Sequence, residues 1–251
     1  MKDFLKETFF RLLPKFPLAK ERASILMYHS VSARKDFFSA ISPEAFNQQM
    51  AYLAAKKRAV ISLAELVRRL RAQEPLGGSV VLTFDDGYHD NYTTVFPLLK
   101  QYNFPATIFV TTDLIGNSGY CSAEELREMH DSDLVAIEPH TLTHPKLGTL
   151  SRANADHEIR ESRRVLQEIL GTTPTLFAYP YGNFSEETVG LVREMGFAGA
   201  VTVAEGTVGS TTDPLRLPRN SVDRSTTFEQ FRGKVSRVID RYESLKAWLP
   251  L

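Results

Sequence analysis

The chain has one cysteine, Cys121, among 251 residues. No intrachain disulfide can form, a thiol content that suits a reducing compartment. No charge of either sign is in excess, with 30 Lys plus Arg against 30 Asp plus Glu. A general attraction to nucleic acid or to anionic membrane is therefore missing. No run of about 18 apolar residues occurs, so the sequence contains no membrane-spanning helix. Repeats, low-complexity tracts and linkers are absent, which leaves one domain of ordinary globular composition. No histidine follows His157.

The first residues, MKDFLKETFFRLLPKFPLAK, lack the uninterrupted apolar core of a signal peptide, because Asp3, Lys6, Glu7 and Arg11 break it. The expectation is a cytoplasmic protein. Phe4, Leu5, Phe9, Leu12, Leu13 and Phe16 nevertheless share one helical face. Residues 1–22 thus read as an amphipathic segment. It would dock on its own domain or give peripheral contact with the inner face of a membrane. Residues 23–251 read as the domain proper.

From there strand and helix patterns alternate. Short apolar runs at 24–29, 80–84, 106–110, 134–138, 176–180 and 197–203 have strand character. Ser42-Pro43, Ser62 with Glu65, Ser122 with Glu125, Ser151, Ser185 and Thr226 with Glu229 mark helix starts. After Ser42, residues Phe46, Met50, Leu53 and Ala54 fall on one face. Alternating β and α units over this length predict an α/β fold with a mostly parallel sheet, closed or nearly closed into a barrel. In such barrels chemistry gathers where strands end.

Four strand ends carry polar groups. TFDDG (83–87) sets two carboxylates, Asp85 and Asp86, side by side before Gly87. Neighbouring carboxylates repel, and burial of both needs a cation or donors; the motif also occurs as a plain solvated turn. HTLTH (140–144) offers two imidazoles, His140 and His144, a preferred donor type for zinc and its neighbours, although His-x-x-x-His also occurs without metal. With one of the carboxylates they would make a facial site with open positions, as catalytic metals require. FAYPYG (177–182) can present a backbone N–H to a developing oxyanion, or simply turn strand into helix. His29 ends a strand and can donate a proton near neutral pH, or serve as a core histidine.

In this order and spacing, TFDDG, HTLTH and FAYPYG resemble the polysaccharide deacetylase family, the NodB-homology fold. ILMYHSV (25–31) and ISPEAFNQQMAYL (41–53) further resemble the branch that includes poly-N-acetylglucosamine deacetylases. The resemblance implies a single-domain distorted (β/α) barrel and a divalent metal, usually zinc. It assigns Asp86, His140 and His144 as ligands, Asp85 as general base and the Tyr181 N–H as oxyanion donor; the residues alone do not say which aspartate is which. The implied activity is removal of an N-acetyl group from an amino sugar or polysaccharide. A deformylase or imide hydrolase on the same barrel is the nearest rival, since loops set the substrate. A non-catalytic carbohydrate-binding relative is the other, and the intact Asp85, Asp86, His140 and His144 argue against it.

Three departures bear on mechanism. Many members carry an arginine where Ala178 or its neighbour stands here, and Arg219 is the candidate to replace it. Many place the general acid on a late histidine, which is absent, so His29 is the candidate acid. Glu138-Pro139 precede His140 where small residues are commoner.

Overall fold

Two residues per repeat decide the inside of this fold. In the parallel strands β1 (Arg22–Tyr28), β4 (Val80–Asp86) and β5 (Ala106–Val110), alternate side chains point to opposite faces. Ile25, Val81 and Phe109 turn to one cluster together with Leu176, Ala178, Val201 and Leu217, which fills the barrel. Leu26, Leu82, Phe84 and Ile108 turn outward to a second cluster under the helices, where Phe46, Met50 and Leu53 meet them. These strands are buried on both faces, which is why they read as continuous apolar runs. The computed structural model describes residues 19–34, 36–236, 238, 239 and 241. Residues 1–18, most of the amphipathic segment, lie outside the described residues.

The main sheet runs β10–β1–β4–β5–β6, with β6 at Val135–Pro139 and β10 at Asn220–Ser221. β9 (Val208–Gly209) adds antiparallel to the start of β1. Two-residue strands β2 (Ser30–Val31) and β3 (Ala40–Ile41) pair beside the end of β1. β7 (Leu176–Ala178) and β8 (Gly199–Val201) form a separate parallel pair. A bridge from Val201 to Leu217 carries that pair on toward β10. Among the described residues the ring is thus closed by backbone pairing except between β6 and β7, so the fold is a distorted (β/α) barrel. Helices cover it: α1 (Pro43–Ala55), α2 (Leu63–Arg71), α3 (Phe96–Tyr102), α4 (Ala123–Asp131), α5 (Arg152–Leu170), α6 (Glu186–Glu194) and α7 (Phe228–Lys234).

Capping explains where the helices begin. Ser42, Ser122, Ser151 and Ser185 accept from N3 amides as their sequence positions predict, and the full reciprocal box forms at Ser122 with Glu125. Several expectations shift. Ser62 caps α2, but the Glu65 carboxylate turns to Arg68 and Arg69 at 2.7 Å instead of closing the box. α7 starts one residue later than expected, capped by Thr227, because the Thr226 hydroxyl accepts from the Asp223 amide. Ala54 lies exposed, off the buried face of α1. The helix after TFDDG begins as a π turn over Asn91–Val95 before α3, since Pro97 offers no N–H to a regular α ladder. β7 and β8 are shorter than their apolar runs; a 3-10 turn at Pro180–Gly182 ends the first. Among the described residues no helix is long and apolar enough to cross a membrane.

Candidate metal centre

β4 runs two residues beyond its apolar run, pairing Asp85 with Phe109 and Asp86 with Val110 of β5. Strand alternation then separates the two carboxylates. Asp85 follows Thr83 into the barrel and is 2% exposed. Asp86 adopts φ 76° and begins a sharp turn that Gly87 continues at φ 75°. A Cβ on Gly87 would meet the Val110 methyls at 3.2 Å, so glycine serves there both for its conformation and for its size.

The imidazoles come from the loop after β6. Thr141 (φ 67°) and His144 (φ 64°) are both left-handed, and the His144 amide donates to Thr141 Oγ1 at 3.0 Å. Glu158 on α5 holds the same loop, accepting from the amides of Leu142 and Thr143 at 3.0 and 2.9 Å and from Thr143 Oγ1 at 2.7 Å. Among the described residues, four of the eight non-glycine residues with positive φ, Asp86, Thr141, His144 and Tyr181, gather at this one place. Such clustering of unfavourable backbone is typical of functional sites.

Asp86, His140 and His144 present ligand atoms within 4.8 Å of one another. His140 Nε2 lies 3.1 Å from His144 Nε2, and Asp86 Oδ1 lies 3.4 Å from the latter and 3.8 Å from the former. Donors bonded to one zinc ion at 2.0–2.1 Å in a tetrahedron stand about 3.3 Å apart. His140 Nδ1 donates to the Ala178 carbonyl at 2.8 Å, which leaves the lone pair on Nε2 facing the site. Burial lowers the pKa of His140 and keeps the ring neutral, as a ligand must be. Two imidazole nitrogens and a carboxylate converging in this way fit a divalent cation.

Asp85 does not join that set. Arg219, fully buried, grips it with Nη1 to Oδ1 at 2.6 Å and Nη2 to Oδ2 at 2.7 Å. Arg219 is itself fixed by Nε donation to the Thr202 carbonyl (2.8 Å) and by a contact to Thr83 Oγ1 (3.2 Å). Burial alone would push the Asp85 carboxyl up; the Arg219 guanidinium outweighs it and holds the group well below the usual carboxylate range. The structure therefore brings the late arginine to the carboxylate, while Ala178 contributes only its carbonyl, to His140.

His29, Asp85, Asp86, His140, His144 and Tyr181 all line one open cavity of ≈ 420 Å³. His89 pairs with Glu125, His130 contacts Thr172 on the outside, and His157 is exposed on α5. His29 is thus the histidine that reaches the cavity besides the ligand pair. Its carbonyl accepts from Asn91 Nδ2 at 2.9 Å, and Asp90 anchors the next two residues through Ser30 Oγ (2.5 Å) and the Val31 amide (2.9 Å). Tyr181 stacks its ring edgewise on His144, centroids 4.6 Å apart, and its φ is 58°. The amides of Gly182 and Asn183 close this turn on Tyr179 and Pro180, and neither bond uses the Tyr181 N–H. A Cβ on Gly182 would fall 2.4 Å from a Val203 methyl, so the turn packs tightly on the end of the neighbouring chain segment. Phe37, Tyr88 and Tyr120 form an aromatic wall, with the two tyrosine rings stacked at 5.1 Å.

Sequence reasoning did not single out Glu158, Asp90 or Asn91. Glu158 had one legible signal: it shares the buried face of α5 with Ala155, Ile159 and Ser162, where a lone acid demands partners.

Comparisons with known proteins point one way. The polysaccharide deacetylase family profile matches residues 72–200, just over half of the chain. The Bacillus subtilis protein YxkH, which carries a polysaccharide deacetylase name, is 31% identical over 183 residues, 72% of this chain and 64% of its own length. The chain thus spans less than two thirds of that relative. The poly-beta-1,6-N-acetyl-D-glucosamine N-deacetylase of Staphylococcus epidermidis is 28% identical over 232 residues, 82% of this chain and 80% of the relative. Among solved structures, the Streptococcus pyogenes deacetylase PplD, in complex with acetate, superposes with a TM-score of 0.80 at 25% identity, over 87% of this chain and all of that one. The strand-end motifs, the barrel that gathers them and these matches agree, and the chain belongs to the polysaccharide deacetylase family.

Proposed function

We propose that this chain is a divalent-metal-dependent N-deacetylase acting on an acetylated amino sugar, free or within a glycan. One observation carries the proposal: three ligand atoms converge beside a buried, ionised carboxylate that is not one of them. Metal amide hydrolysis needs that separation of roles, with open coordination positions and a base left free. Asp86, His140 and His144 would hold the ion, and their imidazole-rich set suits zinc. Such an ion makes a bound water acidic and polarises an amide carbonyl.

The chain's own groups supply the rest. Asp85, kept ionised and oriented by Arg219, accepts the proton of the attacking water. The Tyr181 N–H, left over by its turn, donates to the developing oxyanion. His29, which lines the same cavity, gives a proton to the departing amine, which an amide requires because its anion leaves too poorly. The aromatic wall of Phe37, Tyr88 and Tyr120 suits the apolar face of a pyranose ring. The names of the relatives support an N-acetyl sugar over a formamide or an imide.

The test is an acetate-release assay over N-acetyl sugars and their oligomers, run beside formate release from formamides, with metal content measured on the same samples. Expected is about one transition metal per chain, loss of acetate release on chelation and return on adding Zn2+. Formate release without acetate release would move the reading to the deformylase class. Full metal content in a His140→Ala, His144→Ala double variant would remove these residues as ligands.

A further inference from the structure

Among the described residues no backbone ladder joins β6 to β7, the one seam at which the barrel is left open. Two side chains cross it instead. Glu138 Oε2 accepts from the amides of Thr175 and Leu176 at 2.9 and 2.8 Å. Two residues further along both strands, His140 Nδ1 donates to the Ala178 carbonyl at 2.8 Å. The rungs are in step, one strand repeat apart on each side, about 6.6 Å along a parallel strand. Glu138 is 7% exposed and stands in register with Phe109 on the barrel-lining face. A polar side chain in that place is costly unless its bonds are needed.

We infer that Glu138 is a positioning residue for the metal centre: its carboxyl oxygen replaces a strand ladder across the β6–β7 seam and thereby fixes the Ala178 carbonyl that orients His140. The inference rests on the reading of His140 as a metal ligand. Without Glu138, the Thr175 and Leu176 amides lose their acceptor and β7 is no longer held against β6 at that level. Ala178 then drifts, and the His140 ring loses the bond that sets its tautomer and aim. Partners of this kind, bonded to a metal-ligating imidazole, typically govern about 10–100-fold in metal affinity. Glutamine at 138 keeps an acceptor oxygen at the same reach. Aspartate withdraws it by about one bond length, roughly 1.5 Å.

The experiment titrates metal-free full-length chain with Co2+, reading its visible spectrum, and with Zn2+ against a chromophoric chelator. Wild type, Glu138→Gln, Glu138→Asp and Glu138→Ala are compared, with far-UV circular dichroism and Tm for each. Expected is Glu138→Gln close to wild type, and Glu138→Ala weaker by about 10-fold or more with an altered Co2+ spectrum. Glu138→Asp should fall between. If the alanine variant does not fold, the glutamine and aspartate variants decide. Wild-type affinity and spectrum in Glu138→Asp and Glu138→Ala, with only Tm reduced, would overturn the inference and leave Glu138 as a support of the fold. Absence of Co2+ and Zn2+ binding by wild type would overturn the ligand reading itself, and this inference with it.

Discussion

Replacing Arg219 by methionine is the sharpest perturbation this barrel offers. Methionine keeps most of the side-chain volume and removes both donors to Asp85, at 2.6 and 2.7 Å. The pair is nearly sealed from solvent, with Arg219 at 0% and Asp85 at 2% exposed. Stripping one partner from a buried pair costs about 3–5 kcal/mol, because the other charge stays behind unpaired. For a chain of this size that is roughly a 6–10 °C loss in Tm. The pH dependence has a definite sign. In wild type the Asp85 carboxyl is held below its ordinary value. Its contribution to stability is complete above about pH 4 and is lost only as pH falls through that lowered value. In Arg219→Met burial acts without the guanidinium, so the carboxyl titrates above its unfolded value and destabilises the fold as pH rises. The stability gap between the two proteins should be widest near neutrality and narrow on acidification. The acid limb of the deacetylation pH–rate profile should move to higher pH, since the base now protonates sooner. Arg219→Lys should fall between, having charge without the fork. Chemical denaturation from pH 4 to 8 and pH–rate profiles at matched metal content measure both effects. A gap independent of pH, together with an unmoved acid limb, would refute the claim that Arg219 acts through the charge of Asp85.

Two further predictions separate the remaining roles. Asp85→Asn should keep its metal and lose about 10²–10⁴ in turnover, the scale of a general base; loss of the metal would instead make Asp85 a ligand, and near-native turnover would take it out of the mechanism. His29→Ala should bind metal normally and hydrolyse amides poorly, yet lose much less on an activated acetate ester, whose leaving group needs no proton. Equal losses on ester and amide would show that His29 positions the substrate and donates nothing.

Locally encoded features were legible in the sequence. The strand at 106–110 and the serine caps at 42, 122, 151 and 185 stand where patterning puts them, because each depends on residues within a turn of one another. The same holds for the stop of β6 just before His140, whereas β4 runs on through Asp86; parallel strands deliver the motif residues to one face. Strand lengths after residue 176 were less legible, since apolar residues continue past the point where pairing stops. What only the tertiary structure decided is how remote residues meet. Arg219 reaches Asp85 across 134 positions, Glu138 crosses an open seam to Thr175 and Leu176, and Asn91 holds the carbonyl of His29 from 62 positions away. Periodicity tells which face of an element is buried and says nothing of which buried face it meets. Those meetings follow from barrel closure, which sets the register between strands far apart in the chain and leaves, at β6 and β7, a gap that side chains must fill.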